Sequence, residues 1–365
     1  MKVKKIAILG GGNGGLTCAA DLSNRGFLVN LFESQKFCKC LDVFKKKNEI
    51  IMEYNEGSYV EKINLISNNI EDVIKGCEII IITVPGIGIE YFAEILVPVV
   101  KEEQIILING SPAMSSVRFV NRARKMGIDK LFKIGETNSL TYGTRAFVEE
   151  GKVKISFKAG KVSLGVYPSQ YRDEVYKACI QIYPCFVLSQ NILQVNLENP
   201  NPLIHPVATL LNAGRIDYTK GEFYLYREGI TKHVVNIIKA LECERDSIGK
   251  ALGITLEEAN ETRINRGYFE KEDKPLDELF RNSESLKNIK GPNSVEGRYI
   301  IEDISTGLVL WSELGKVLKV DTANIDAIIT LGSTLVNRDL YKEGLTLKNL
   351  GLGDVTNKEE LLNKI

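Results

Sequence analysis

The chain has 365 residues, of which 44% are apolar and 26% are charged. This is the composition of an ordinary globular protein, and the length predicts about two domains. Lysine plus arginine equals aspartate plus glutamate at 47 each, so there is no basic field to attract nucleic acid or anionic lipid. Small-molecule chemistry is therefore favoured, with neither nucleic acid nor a membrane as a partner.

The first residues and the cysteines both bear on the compartment. MKVKKIAIL contains only four consecutive apolar residues, too few for a signal-peptide core or a transmembrane span, so we expect a cytoplasmic protein. The seven cysteines are odd in number and scattered, and only Cys38 and Cys40 lie close together. That pattern predicts reduced thiols and no metal site.

A short apolar run, VKKIAIL, leads directly into GGGNGG, and a helical pattern, LTCAADLSNRG, follows. A strand, a glycine-rich turn and a helix in this order are the context of a dinucleotide-binding fingerprint. Gly10, Gly12 and Gly15 have the required spacing: the first makes the tight turn, the second lets backbone approach a pyrophosphate, and the third packs the helix on the strand. Asn13, in the same turn, is also assigned to cofactor binding.

The second predicted strand, FLVNLFE, ends at Glu33, 18 residues after Gly15. A carboxylate at this position accepts hydrogen bonds from both ribose hydroxyls and repels a 2′-phosphate, which predicts NAD rather than NADP. The alternative is a solvated glutamate at the strand end, with Ser34, Gln35 and Lys36 around the 2′-phosphate of NADP.

Two continuous apolar runs, CEIIIITVP and QIILING, predict buried parallel strands with helices on both faces of the sheet. The helical pattern IGIEYFAEILVPVV lies between them and repeats the strand-helix-strand unit. Val84 and Pro85 end the first of these strands, at the carboxyl edge where ligands of open α/β sheets bind, so both are predicted cofactor contacts. Gly86 and Gly88 follow them, either at the ligand or in a purely structural turn.

From Asn191 onward, long helical patterns replace the patterns typical of strands. The sequence therefore predicts an α/β fold, with a Rossmann NAD-binding domain at residues 1–190 and an all-α substrate and catalytic domain at residues 191–365.

Within the second predicted domain, an apolar stripe over residues 230–252 predicts a buried helix face that ends at Gly253. Thr255 with Glu258 predicts a capping box for the next helix. Residues 263–292 are charged and lack a clear period, which predicts a surface excursion or a lid.

His205, one of only two histidines, lies in the run NPNPLIHPVATLLNAGRID. Pro200 and Pro202 argue against helix before them, and Pro206 is tolerated in a first turn, so we expect His205 at a helix N-terminus. Such a position favours nearby anions and suits a general acid/base that acts on a carboxylate substrate. The alternative is a histidine with a structural role.

The run around His205 is similar to the segment that opens the second domain of opine dehydrogenases, the octopine and nopaline dehydrogenase family. KIGETNSLTYGTRA resembles the family's Glu-Thr-x-x-Leu-Pro-Tyr-x-x-Arg segment, with Thr141 in place of the proline. GRYIIEDIS resembles its Arg-Tyr-x-x-Glu-Asp block, with Ser305 where a proline is usual. The likeness extends over nearly the whole chain.

This resemblance implies an NADH-dependent condensation of an amino acid with an α-keto acid such as pyruvate, in which an imine is reduced to a secondary amine that carries two carboxylates. His205 would move the proton, and Asp303 would hold its imidazole in one tautomer. Arg298 would grip a carboxylate with two parallel hydrogen bonds. The alternative is an ion pair between Arg298 and Asp303 with no part in the reaction.

Three further residues are assigned to the substrate site. Asn201, one helical turn before His205, would donate a hydrogen bond to the substrate carbonyl or carboxylate. Thr137 and Tyr142 belong to the second segment that resembles the family.

Two other functions stay open at this point. One is another two-domain reductase, of the ketopantoate or hydroxy-acid type, which reduces a carbonyl without an added amine. The other is a nicotinamide-binding regulator without turnover. Motifs do not reveal side-chain pockets, so the sequence does not identify the amino acid or the keto acid. The physiological direction of the reaction and the oligomeric state are also left open, and a homodimer is one option.

Overall fold

The computed structural model describes residues 2–35 and 41–365. The chain divides into two compact units, the first ending at Val195 and the second comprising Asn196–Ile365. This division falls close to the boundary predicted near residue 190. Lys36 and the pair Cys38 and Cys40 lie outside the described residues.

The first unit contains all the strands named here. In chain order they are β1 (Lys5–Leu9), β2 (Leu28–Phe32), β3 (Glu49–Tyr54), β4 (Gly57–Lys62), β5 (Leu65–Ser67), β6 (Ile79–Ile82), β7 (Ile105–Ile108), β8 (Lys133–Thr137), β9 (Tyr142–Phe147), β10 (Lys152–Lys158), β11 (Val162–Tyr167) and β12 (Phe186–Leu188). The accompanying helices are α1 (Asn13–Asn24), α2 (Asp42–Lys45), α3 (Ile70–Ile74), α4 (Ile89–Leu96), α5 (Ser115–Lys125), α6 (Arg172–Ile182) and α7 (Ile192–Leu197), the last of which crosses the division.

The main sheet has the strand order β12-β11-β8-β7-β6-β1-β2-β5, and its neighbours are parallel except for β8 and β11. Every residue of β6 and β7 is buried, as their continuous apolar runs predict. The strand order reverses direction between β1 and β6, and ligands of open α/β sheets bind at such a point. Because Leu9 is in register with Phe32 and Ile82, the three strands end at the same edge. The predicted Rossmann-type sheet is confirmed.

A second sheet, with the order β4-β3-β10-β9, belongs to the same unit and was not predicted from the sequence. It packs against α1: the hydroxyls of Thr17 and Thr144 are 2.6 Å apart, and the Asn13 side-chain oxygen accepts a hydrogen bond from Ala146 N at 2.9 Å. The helix α1, which begins after the glycine turn, thus contacts strands of both the main sheet and the second sheet.

The second unit is built from helices, as predicted. They are α8 (Asn201–Leu210), α9 (Ala213–Thr219), α10 (Lys232–Leu252), α11 (Ala259–Asn265), α12 (Leu276–Asn282), α13 (Arg298–Glu302), α14 (Val309–Leu318), α15 (Ala323–Leu335), α16 (Leu340–Glu343) and α17 (Lys358–Asn363). Two π-helical segments, Leu225–Gly229 and Asp303–Leu308, interrupt this pattern. No helix in the described ranges is long and apolar enough to cross a membrane.

The start of α8 differs from the prediction. The helix begins at Asn201, so His205 is its fifth residue and Pro206 lies inside the helix instead of in its first turn. Pro202 is tolerated at the second position because the first N–H groups of a helix have no partner in the helix. His205 is therefore held one turn inside α8 and does not lie at the helix N-terminus that was predicted for it.

Of the predictions about the next helices, one is confirmed and one was wrong. Gly253 ends α10 with φ +74°, as expected of a C-terminal cap. The predicted capping box at Thr255 does not form, because α11 begins later and the Glu258 carboxylate caps it by accepting from Glu261 N at 2.9 Å. Residues 263–292, for which the sequence predicts a surface excursion or a lid, contain the end of α11 and all of α12, and they contribute buried side chains such as that of Phe280.

Candidate functional site

The glycine turn after β1 has the geometry that its three positions require. Gly10 has φ +113°, and a Cβ there would lie 2.9 Å from the Thr83 carbonyl oxygen. A Cβ on Gly15 would lie 1.6 Å from the Gly10 carbonyl oxygen, so only glycine allows α1 to pack this close to the turn. Gly12 is exposed, and an added Cβ there would have no atom within 4 Å. The turn is therefore closely packed at Gly10 and Gly15, and it is open at Gly12, where a pyrophosphate is expected.

Glu33 follows β2 at the same sheet edge and is only 8% exposed. Its two carboxylate oxygens accept hydrogen bonds from Gly11 N and Ser34 N, each at 2.7 Å. Each oxygen has a second lone pair, so these bonds fix the carboxylate beside the glycine turn without using its full capacity as an acceptor. This position fits a group that receives ribose hydroxyls.

The other predicted cofactor contacts lie around this edge. Val84 follows β6 and packs against the glycine turn, since a Cβ added to Gly10 would lie 3.0 Å from Val84 Cγ1. Pro85, the next residue, is exposed. Asn13 is exposed at the first position of α1, and its side-chain oxygen is bonded to Ala146 N. The amide hydrogens of Asn13 are the part of its side chain that remains for a ligand.

Thr137 and Tyr142, two predicted substrate contacts, are buried inside the first unit. Thr137 is 0% exposed, and its hydroxyl accepts from Gly110 N and donates to Ser139 O, both at 2.9 Å. The Tyr142 hydroxyl donates to the Asp21 carboxylate at 2.8 Å. The structure thus gives both side chains partners within the first unit, and their assignment to the substrate site stays a prediction.

His205 and Asp303, 98 residues apart in the chain, are brought together as predicted. His205 Nδ1 lies 2.7 Å from Asp303 Oδ2, and both side chains are largely buried. Burial raises the pKa of the Asp303 carboxyl, while the hydrogen bond and the charge of His205 oppose this rise. A carboxylate only accepts, so Nδ1 donates to it, and Nε2 is an acceptor whenever the ring is neutral.

Tyr226 and Tyr299 complete the surroundings of the imidazole. The Tyr226 hydroxyl is 3.0 Å from His205 Nε2, and the Tyr299 ring stacks on the imidazole with centroids 4.0 Å apart. Burial is the main cause that raises the pKa of Tyr226 well above its usual value, so its hydroxyl stays protonated and can donate either to Nε2 or to the Tyr299 hydroxyl, with which it also shares a hydrogen bond. Tyr299 lies in a motif that resembles the family but was given no role, and Tyr226, which no motif marks, was not predicted.

Each π-helical segment carries one of the residues that contact His205. Asp303 begins the segment Asp303–Leu308, and a Cβ on Gly307 would lie 2.2 Å from Pro202 Cγ, so this glycine lets the segment approach α8 closely. Tyr226 lies in Leu225–Gly229. Asn212 Nδ2 ties this second segment to α8 by donating to Gly229 O at 3.0 Å and to Ala208 O at 2.8 Å. Short π-helical segments are frequent at functional sites.

Arg298 and Asn201 occupy neighbouring helix starts. Arg298 is the first residue of α13, its side chain is 67% exposed, and Nε pairs with Glu302 one turn later. The alternative ion pair with Asp303 is therefore not formed. Asn201 is the first residue of α8, one turn before His205, and its backbone N donates to Asn199 Oδ1 at 3.1 Å. Within the described ranges, no group of three or more His, Cys, Asp or Glu side chains is arranged for a metal ion.

Comparison with known proteins agrees with this organisation. The model of the NAD/NADP octopine/nopaline dehydrogenase alpha-helical domain matches residues 188–336. The model of the NAD-dependent glycerol-3-phosphate dehydrogenase N-terminus matches residues 5–113. Among solved structures, an octopine dehydrogenase in complex with NADH and pyruvate has a TM-score of 0.74 at 16% identity and covers 99% of this chain and 98% of its own. A yersinopine dehydrogenase with bound NADP⁺ has a TM-score of 0.70 at 12% identity, with 99% and 95% coverage. At such identities these two likenesses show the fold.

Full-length relatives show the family. The opine dehydrogenase of Arthrobacter sp. (strain 1C) is 30% identical over 353 residues, which is 97% of this chain and 96% of that protein. The vitopine synthase of Allorhizobium ampelinum is 22% identical over 366 residues, with 96% of each chain covered. The chain therefore belongs to the opine dehydrogenase family and is an NAD(P)-dependent oxidoreductase of the opine dehydrogenase type.

Proposed function

We propose that this protein uses NADH to condense an amino acid reductively with an α-keto acid such as pyruvate, giving a secondary amine with two carboxylates. The observation that carries the proposal is the arrangement of His205, with Asp303 on Nδ1 and Tyr226 on Nε2, inside the unit that matches the family's helical domain. Known proteins of similar fold support the choice of substrates, since octopine dehydrogenase structures contain NADH with pyruvate or with L-arginine.

The cofactor would be held by the carboxyl edge of the main sheet. Gly10, Gly12 and Gly15 shape the turn that takes the pyrophosphate, and the first N–H groups of α1 stabilise its charge. Glu33 would accept hydrogen bonds from the ribose hydroxyls. We assign Asn13, Val84 and Pro85 to the same site. When bound, NADH supplies the hydride that reduces the imine carbon.

His205 would handle the protons of the condensation. An amino acid is an ammonium ion near neutral pH, and it must lose a proton before its nitrogen can attack a carbonyl carbon. His205 Nε2 accepts this proton, and Asp303 stabilises the imidazolium that results. His205 then returns the proton when the carbonyl oxygen leaves as water. Tyr226 both donates and accepts hydrogen bonds, so its hydroxyl passes the proton between Nε2 and the substrate.

The requirement for two organic substrates tests this proposal. We expect purified protein to oxidise NADH when pyruvate and a suitable amino acid are both present, and to oxidise it far more slowly with either one alone. Each standard amino acid is tested with pyruvate and with a second keto acid. Equal rates with the keto acid alone would favour a ketopantoate-type or hydroxy-acid reductase, and no oxidation with any pair, despite NADH binding, would favour a regulator.

Replacing Glu33 with serine is expected to shift cofactor preference towards NADPH by about tenfold or more, because a negative charge is removed from beside the 2′ position; each tenfold corresponds to about 1.4 kcal/mol. The measurement is the ratio of kcat/KM for NADH to that for NADPH. Glu33→Gln serves as a companion that removes the same charge but keeps the length of the side chain, although its single amide oxygen can accept from only one of Gly11 N and Ser34 N. A wild-type protein that already prefers NADPH would show that the assignment of NAD is wrong.

Replacing Arg298 with lysine is expected to raise KM for a carboxylate substrate while the Kd for NADH stays unchanged. A point charge replaces a planar fork, so two parallel hydrogen bonds to one carboxylate are lost while the net charge is kept. Glu302→Gln is a useful companion, because it removes the negative charge of the present partner of Arg298 without touching the guanidinium. Unchanged KM values for both organic substrates in Arg298→Lys would remove Arg298 from the site.

A further inference from the structure

Arg245, Arg263 and Arg266 in the second unit have almost fully buried side chains, exposed by 2%, 1% and 2%. Two of the three have acidic partners. Arg245 bonds the Asp246 carboxylate through Nε at 2.9 Å, and Arg263 pairs with Glu242 and also donates to Asn260 at 2.8 Å. Buried arginines are ordinarily paired in this way, because a guanidinium stays charged and a buried charge without a partner is very costly.

Arg266 does not follow this pattern. Its Nε and both Nη atoms are shielded from solvent, and none of the three has a hydrogen-bond partner in the described part of the chain. The guanidinium has five N–H donors in a planar fork, all of them suited to an anion. Because the described chain provides no such anion, a bound molecule is the natural source of the partner.

The position of Arg266 relates it to the imidazole of His205. Arg266 and Arg263 lie three residues apart, and so on the same face at the end of α11. The Arg263 guanidinium lies 5.7 Å from the centroid of the Phe280 ring, which stacks on Tyr226, the residue bonded to His205 Nε2.

Tyr268 gives a second connection between the end of α11 and the surroundings of His205. Burial is the main cause of the raised pKa of Tyr226 and Tyr299, and the nearby Tyr268 is a further cause for both. Because Tyr268 is two residues after Arg266, the end of α11 lies within the range of a charge interaction from Tyr226 and Tyr299.

We propose that Arg266 binds a carboxylate of the organic substrate, and this inference rests on the proposed function. Condensation of an amino acid with an α-keto acid joins two molecules that each carry a carboxylate, so the site needs two cationic partners. Arg298 is exposed and shares its guanidinium with Glu302. Arg266 is buried and its guanidinium is uncommitted among the described residues, so it provides the stronger of the two positions for a carboxylate.

Ligand binding without turnover tests this proposal. The variants are Arg266→Met and Arg266→Lys, and the probes are pyruvate and iminodiacetate, the smallest secondary amine with two flanking carboxylates. We expect Arg266→Met to bind at least one probe about tenfold more weakly or worse by calorimetry, with an unchanged Kd for NADH. Its melting temperature without ligand should be equal to or higher than that of the wild type, because an unpaired buried charge has been removed.

Arg245→Met is the matched control, since it also removes a buried arginine but leaves only the half-exposed Asp246 without a partner. We expect this control to have a lower melting temperature and unchanged probe binding. The inference is overturned if Arg266→Met melts lower while both probes bind as to the wild type, which indicates a structural role. It is also overturned if NADH binding alone weakens, which indicates a cofactor contact. If Arg266→Met does not fold, the same comparison is made with Arg266→Lys, for which unchanged probe binding and unchanged KM values overturn the proposal.

This design separates the inference from the proposed function. Loss of probe binding in Arg266→Met supports the carboxylate site even if the wild type fails to condense pyruvate with any amino acid, in which case only the reaction is wrong. The converse result is a wild type that condenses both substrates while Arg266→Met has unchanged KM values and unchanged probe affinities. That result would support the proposed reaction and show that Arg266 takes no part in it.

Discussion

Replacing His205 with alanine is expected to lower kcat by about 10² to 10⁴, the usual contribution of a positioned general acid/base. In the structure, Nδ1 is fixed by Asp303 and Nε2 by Tyr226, so the imidazole is held in one orientation and one tautomer. The measurements are steady-state NADH oxidation and the Kd for NADH. The Kd should not change, because the proposed cofactor contacts all lie in the first unit.

A double variant of His205 and Asp303 tests whether the two residues act together. Asp303 acts only through His205, so adding Asp303→Asn to His205→Ala should lower kcat little beyond the single replacement. Losses that multiply in the double variant would show that the two residues act independently. His233→Ala is the control, since His233 is the other histidine and is exposed at the start of α10. Near-normal turnover of His205→Ala would contradict the assignment of the general acid/base.

The second large effect is expected from two alanine replacements in the glycine turn. One should reduce both stability and NADH binding, and the other should reduce NADH binding alone. In Gly15→Ala, the new Cβ would lie 1.6 Å from the Gly10 carbonyl oxygen, so α1 must move and the protein should lose stability as well as NADH binding. In Gly12→Ala, the new Cβ meets nothing within 4 Å, so the fold should be retained while the approach of the pyrophosphate is blocked.

Thermal unfolding and NADH titration distinguish these two outcomes. We expect Gly12→Ala to melt near the wild-type temperature and to bind NADH at least about tenfold more weakly, a loss of about 1.4 kcal/mol. Gly214→Ala is the control, because its Cβ also meets nothing within 4 Å and the residue lies in the second unit. Normal NADH affinity in Gly12→Ala would show that the cofactor does not approach this turn.

Local patterns predicted much of the first unit. The strand, glycine turn and helix at its start depend on neighbouring residues only, and the continuous apolar runs of β6 and β7 mark buried strands wherever they occur. The second sheet was missed because β3 pairs with β10, a hundred residues later in the chain, and such long-range register leaves little trace in local sequence.

The site was predicted unevenly for a similar reason. The pair of His205 and Asp303 spans 98 residues and was predicted from the family resemblance, not from spacing. Tyr226 was missed because the π-helical segment that orients it has no simple sequence signal. Thr137 and Tyr142 belong to a motif that resembles the family, and in the structure both side chains are buried and make hydrogen bonds within the first unit.

The most direct test of the central claim is the identity of the product formed with NADH that is deuterated at the transferable position. Wild-type protein is incubated with this NADH, pyruvate and a mixture of the standard amino acids, and the products are analysed by mass spectrometry. We predict a new secondary amine that contains the carbon atoms of both substrates and one deuterium on the carbon that was the keto carbon of pyruvate. Deuterated lactate with all amino acids unchanged would contradict the account.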